Sequence, residues 1–149
     1  MATTVIDVPR FEPVNFPKCG FVLVLAKRGS GKSVYCAYMA SRLPFVATGM
    51  AMAICGSEKV CQDWRQFIPN LYVHAASIEV LDMVIQNQNK LAKYYATKSM
   101  PIPDELHVTL FIDDCASIPR IMKSKQLKYI ASNSRHLNMC IIIAAQYFI

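Results

Sequence analysis

The chain lacks any apolar run long enough to cross a bilayer. Its longest, "GFVLVLA" and "MCIIIAA", are of strand length, far short of the roughly 20 residues that a spanning helix needs. Its N-terminus, "MATTVIDVPRFEP", lacks the basic-then-apolar pattern of a signal peptide, so a soluble intracellular protein with no membrane span is expected. No C-x-x-C pair occurs among Cys19, Cys36, Cys55, Cys61, Cys115 and Cys140, which argues against a zinc ribbon or dithiol redox centre. Single cysteines inside apolar runs read instead as buried free thiols. Internal repeats and low-complexity segments are also missing. From Cys115 to Ile149 there is no Asp or Glu, while Arg120, Lys123, Lys125, Lys128 and Arg135 fall there, within a formal charge of +6. That imbalance suits either a face towards a polyanion or an ordinary solvated helix surface.

What the chain does have is 149 residues at 54% hydrophobic content, enough for one domain with a substantial core. Pro9, Pro13 and Pro17 mark residues 1–19 as an extended lead-in, and residues 20–149 form the domain proper. "FVLVLA" (21–26) reads as a strand buried on both faces. "KSVYCAYMASRL" follows as a helix with Val34, Ala37, Tyr38 and Leu43 among its apolar positions and Pro44 as its stop. "GMAMAIC" (49–55) predicts a second strand. The next helix has Ser57 as N-cap and Pro69 as terminator, and "LYVHA" (71–75) predicts a short third strand. A long helix carries Ile78, Leu81, Ile85 and Leu91, then "SMPIPDE" breaks the chain. "HVTLFIDD" is the next strand, "SKQLKYIASNSRHL" a basic helical stretch, and "MCIIIAAQ" the last strand. Strands alternating with helices imply a doubly wound α/β sheet.

The first loop, "AKRGSGKS" (26–33), is one glycine short of the phosphate-binding pattern G-x-x-x-x-G-K-[ST], because Ala26 takes the first glycine's place. That glycine eases the turn, whereas close approach of backbone N–H groups to phosphate depends on Gly29 and Gly31. Following a strand and opening a helix, the loop reads as a phosphate cradle, or Walker A motif. Lys27, Arg28, Gly29, Ser30, Gly31, Lys32, Ser33 and Val34 are the candidate nucleotide-binding residues. Lys32 would reach the β- and γ-phosphates, and the Ser33 hydroxyl would hold Mg²⁺.

A second element narrows the class. "VTLFIDD" delivers Asp113 at the end of a strand, where it suits a Walker B carboxylate for Mg²⁺, and Asp114 beside it can polarise an attacking water. Gln146, closing "CIIIAA", falls at the same edge of a parallel sheet and could sense the γ-phosphate or orient that water. Lys32, Asp114 and Gln146 are thus the candidate catalytic residues. Arg135, with His136 before the last strand, could meet a neighbour's nucleotide or DNA phosphate, though a surface role is the plainer reading. His74, His107, Trp64 with Phe67 and Ile68, and Met50, Met52 and Met100 read as structural or packing residues.

Together "AKRGSGKS", "LFIDDC" and "SNSRHLNMCIIIAAQY" resemble the genome-packaging ATPases of large double-stranded DNA viruses, in the superfamily of the FtsK and HerA DNA pumps. The likeness runs from about Gly20 to Tyr147 and is most specific in "DDC", "SRHLN" and "AAQY". It implies a three-layer P-loop ATPase of the additional-strand, catalytic-acid type, using ATP and Mg²⁺ and forming a homo-oligomeric ring around double-stranded DNA. Capsid or portal components would be partners, in the host cytoplasm and the virion. In the cellular pumps the place of Asp114 holds Glu. Family members usually continue past "AQY", so a chain truncated at its C-terminus is expected. A P-loop nucleoside or nucleotide kinase, and a nucleotide-binding fold without turnover, are the alternatives.

Overall fold

A computed structural model of the chain describes residue 12 and residues 15–69 and 72–146. The apolar runs form strands β1 (Gly20–Ala26), β2 (Met50–Cys55), β3 (Val73–Ala75), β4 (Val108–Asp113) and β5 (Met139–Gln146). All pair in parallel in one sheet of order β1-β5-β4-β2-β3. Parallel neighbours require crossovers, supplied by α1 (Lys32–Arg42), α2 (Pro44–Thr48), α3 (Glu58–Trp64), α4 (Ile78–Thr97), α5 (Pro119–Met122) and α6 (Lys125–Asn133). The result is the expected three-layer α/β fold. The last strand, β5, is inserted between β1 and β4, which is the additional-strand arrangement.

Each face of the sheet buries its own core. Cys36, Met39, Leu43, Trp64 and Ile68 pack with Phe111, Cys140 and Ile142 on the side of α1, α2 and α3. Leu81, Val84, Ile121, Leu127 and Ile130 pack with Leu110, Ile112, Ile141 and Ile143 on the side of α4, α5 and α6. The central strands β4 and β5 are almost wholly buried, the signature of parallel strands covered on both faces. Ser77 and Ser124 cap α4 and α6 by accepting from the Val80 and Leu127 N–H groups.

Several expectations need correction. β1 is not buried on both faces. It is an edge strand paired only with β5, and Phe21, Leu23 and Leu25 are 45%, 52% and 52% exposed. Among the described residues α6 packs on β5, which leaves that face of β1 only about half covered. Helix α1 turns Cys36 and Met39 inward, while Val34 and Tyr38 face outward. As expected, α1 stops just before Pro44, with Leu43 extended at its C-cap; Pro44 itself then opens the short α2, where its missing N–H costs nothing. Helix α3 ends at Trp64, well before Pro69, and Ser57 occupies its N-cap without a side-chain bond. Phe67 and Met100 are both 55% exposed, so neither is core. Of the lead-in, residues 1–11 and 13–14 lie outside the described residues, as do Leu71 of the third strand and Tyr147 of "AAQY".

His107 is structural as expected: it is buried, its ring lies 4.9 Å from that of Phe45, and its Nε2 is 2.7 Å from the Lys18 carbonyl. No helix among the described residues is long and apolar enough to cross a membrane.

Candidate functional site

Ala26 is the last residue of β1 and pairs with Gln146 at the end of β5. It is extended, with none of the positive φ that would demand glycine, so alanine fits where the pattern has its first glycine. Gly29 and Gly31 do need their glycines, at φ 74° and 83°. The loop closes on the Lys27 carbonyl, which accepts from Ser30 Oγ at 2.7 Å and Lys32 Nζ at 2.8 Å. Helix α1 starts at Lys32 with Gly31 as N-cap, no side-chain cap and no acid in its first turn. Its leading N–H groups and dipole therefore favour an anion supplied from outside the helix.

Two strands away, Asp113 ends β4 at 4% exposure, and its Oδ2 accepts from Trp64 Nε1 at 3.2 Å. Its carbonyl accepts from the Gly56 N–H at 2.9 Å, tying the end of β2 to the end of β4. The chain then turns at Asp114, whose φ of 57° is left-handed, a conformation Asp tolerates better than most residues. Gln146 Nε2 donates to Asp114 Oδ1 at 3.4 Å. The fold thus brings Ala26, Gln146 and Asp113 to the carboxyl ends of the adjacent strands β1, β5 and β4, where ligands of open α/β sheets bind.

A cleft of about 470 Å³ runs between α1 and α3, with Ser33, Tyr38, Asp63, Trp64, Phe67 and Asp113 on its walls. Ser33 and Asp113 therefore share one cavity. A hydroxyl beside a carboxylate is an all-oxygen donor set, which suits a hard cation such as Mg²⁺. Burial, with the Asp113 charge adding to it, pushes the Cys36 thiol up to about 12, and burial does the same at Cys115. Cys140 is likewise pushed up to about 12 by burial. All six cysteines are free, and all are buried as expected except Cys19, which is half-buried. Because these thiols ionise near 9 when unfolded, their contribution to stability is complete below pH 9 and falls as pH rises towards 12. Thermal melts should therefore show Tm constant near neutrality and dropping steadily above about pH 9.

Lys27, Arg28, Ser30 and Val34 are exposed around the loop. Arg135 is exposed too, but it precedes β5 and so lies at the sheet edge opposite the phosphate loop of its own chain. Arg120, Lys123, Lys125 and Lys128 are exposed on and between α5 and α6. Sequence reasoning missed two features: the Trp64 bond to Asp113, since a lone Trp in a short amphipathic helix signals only core, and the cleft itself. It also passed over Gly56, although a glycine directly after an apolar strand signals close backbone approach.

No family model matches the chain. It is 27% identical over 128 residues to uncharacterized protein 015R of Frog virus 3 (isolate Goorha), covering 85% of this chain and 37% of that protein. It is 28% identical over 150 residues to uncharacterized protein 088R of Invertebrate iridescent virus 3, covering 95% of this chain and 53% of the relative. The chain thus spans about half or less of these relatives' lengths. Among solved structures, EssC (ATPases 2 and 3) from Geobacillus thermodenitrificans superposes with a TM-score of 0.63 at 10% identity, over 87% of this chain and 28% of that one. A chain described as an ATPase superposes with a TM-score of 0.58 at 10% identity, over 87% of this chain and 57% of the other. With its additional strand between β1 and β4, the chain has the fold of ATPase domains, and its sequence relatives are viral.

Proposed function

We propose that the chain is an ATP-hydrolysing motor domain that drives double-stranded DNA into a viral capsid. The observation that carries this reading is the contact of Gln146 with Asp114, beside a carboxylate that shares a cleft with the Ser33 hydroxyl. A polar side chain holding a second acid at the mouth of a phosphate loop suits activation of water. The viral relatives and the ATPase domains of like fold support the same direction.

Bound Mg²⁺ would supply positive charge at the transferring phosphoryl oxygens. The chain's own part follows from positioning and electrostatics. The N–H groups of Gly29 to Ser33 cradle phosphate. Lys32 would leave the Lys27 carbonyl and neutralise charge between the β- and γ-phosphates, and Ser33 with Asp113 would hold the cation. Asp114 accepts a proton from the water whose oxygen attacks the γ-phosphorus as the bond to ADP breaks. Gln146 steadies Asp114 and relays loss of the γ-phosphate to β5. A homo-oligomeric ring, capsid or portal components and the host cytoplasm or virion complete the proposal, with Arg135 and the basic α5–α6 face directed at DNA phosphates or a neighbouring copy.

Steady-state phosphate release from MgATP, with and without double-stranded DNA, tests it. The expected result is DNA-stimulated release that disappears in Lys32→Ala together with nucleotide binding. ATP binding without release, with or without DNA, would instead indicate a nucleotide-binding fold that does not turn over. One observation favours a second reading, a nucleoside or nucleotide kinase: the cleft beside Ser33 and Asp113 has aromatic walls and room for an acceptor. Phosphate transfer to nucleosides in a coupled assay would overturn the motor reading.

A further inference from the structure

We infer that Trp64 is a positioning residue for Asp113: its indole N–H fixes the buried carboxylate for the cation it shares with Ser33, which also makes Trp64 an optical reporter of Mg²⁺ binding. The inference rests on the reading of Asp113 as the Mg²⁺ carboxylate.

Three observations carry it. First, both partners are buried, Trp64 at 3% and Asp113 at 4% exposure, and the bond of 3.2 Å joins α3 to the end of β4. A carboxylate taken out of water needs strong donors, and among the described residues no Lys or Arg forms an ion pair with Asp113. Second, the indole has little freedom. Its ring lies 4.8 Å from that of Phe111 and 6.5 Å, edge-on, from that of Phe67. The single N–H is spent on Oδ2, so the rotamer of Asp113 is set by a ring that is itself wedged in the core. Third, Trp64 and Asp113 both line the cleft that Ser33 borders, so a cation arriving there meets the carboxylate already oriented. Partners that orient metal ligands are worth about 10- to 100-fold in metal affinity.

The chain contains a single tryptophan, so indole emission excited apart from the tyrosines reports on the surroundings of Trp64 alone, and the Asp113→Asn comparison assigns the change to the carboxylate. The test holds ADP constant and titrates Mg²⁺ into the wild type while Trp64 emission is recorded. In parallel, wild type, Trp64→Phe and Asp113→Asn are titrated with Mg²⁺ using a fluorescently labelled ADP. Phenylalanine keeps an aromatic ring against Phe111 and removes the N–H donor, together with the volume of the indole's second ring. The expected results are a saturable change in Trp64 emission that Asp113→Asn abolishes, and a half-saturating Mg²⁺ concentration about ten-fold higher in Trp64→Phe, with Mg²⁺-free nucleotide binding unchanged.

Emission indifferent to Mg²⁺, or a Trp64→Phe requirement equal to the wild type while that of Asp113→Asn is raised, overturns the inference alone. Equal Mg²⁺ dependence of Asp113→Asn and the wild type overturns the underlying reading of Asp113. Should Trp64→Phe fail to fold by circular dichroism, the emission titrations of wild type and Asp113→Asn decide: a Mg²⁺-dependent change that persists in Asp113→Asn overturns the inference.

Discussion

Asp114→Asn is expected to keep nucleotide affinity within about two-fold of the wild type and to lower phosphate release by about 100-fold or more, the usual scale of a lost general base. The substitution is narrow. Asparagine tolerates the left-handed φ of 57° at this position, and its side-chain oxygen can still accept from Gln146 Nε2. Only the charge, and with it the capacity to take a proton, is removed. On the proposed reading nucleotide binds at the loop after β1, on a different strand from Asp114, so binding should survive. The comparison to make is single-turnover phosphate release against equilibrium binding of labelled ADP. Normal hydrolysis by Asp114→Asn would remove Asp114 from the chemistry.

Gly56→Ala is expected to lower stability by about 3 kcal/mol or more, the upper range for forcing atoms into a packed interior. A Cβ at position 56 would stand 1.9 Å from the Asp114 carbonyl oxygen and 2.6 Å from its carbon. Both are backbone atoms and cannot swing aside as a long side chain would. Either the end of β2 separates from the end of β4, breaking the bond from Gly56 N–H to the Asp113 carbonyl, or the turn carrying both acids shifts. Gly29→Ala is the control. It has a positive φ of 74° but nothing within 4 Å of the added Cβ, so it should cost only the left-handed strain of about 1–2 kcal/mol. Urea unfolding of the two variants should rank them in that order, and Gly56→Ala should also lose turnover even where it still folds. A Gly56→Ala protein as stable as Gly29→Ala would mean that the two strand ends separate at little cost.

The two glycines differ in how visible they are. Gly29 lies inside a recognisable spacing pattern, whereas Gly56 is explained only by a segment more than fifty residues away, brought against it by the pairing of β2 with β4. Trp64 repeats the pattern. Its burial was legible from the apolar spacing of α3, but the direction of its N–H depends on which strand lies below, and chain order does not give sheet order. β1 shows the reverse failure. Its composition is that of a central strand, yet it sits at the edge of the sheet, where Phe21, Leu23 and Leu25 are left about half exposed.

What the amino-acid order determined by itself is local and periodic: the alternation of strand and helix, the glycine positions of the phosphate loop, and the placing of Asp113, Asp114 and Gln146 at strand ends. These follow from backbone sterics and hydrophobic spacing, which act within a few residues. What only the tertiary structure decided is which strand ends become neighbours. Inserting β5 between β1 and β4 joins Gln146 to Asp114, and the packing of α3 against the sheet hands Trp64 to Asp113. Those contacts depend on burial summed over both faces of the sheet, a property of the whole core that no single stretch of sequence contains.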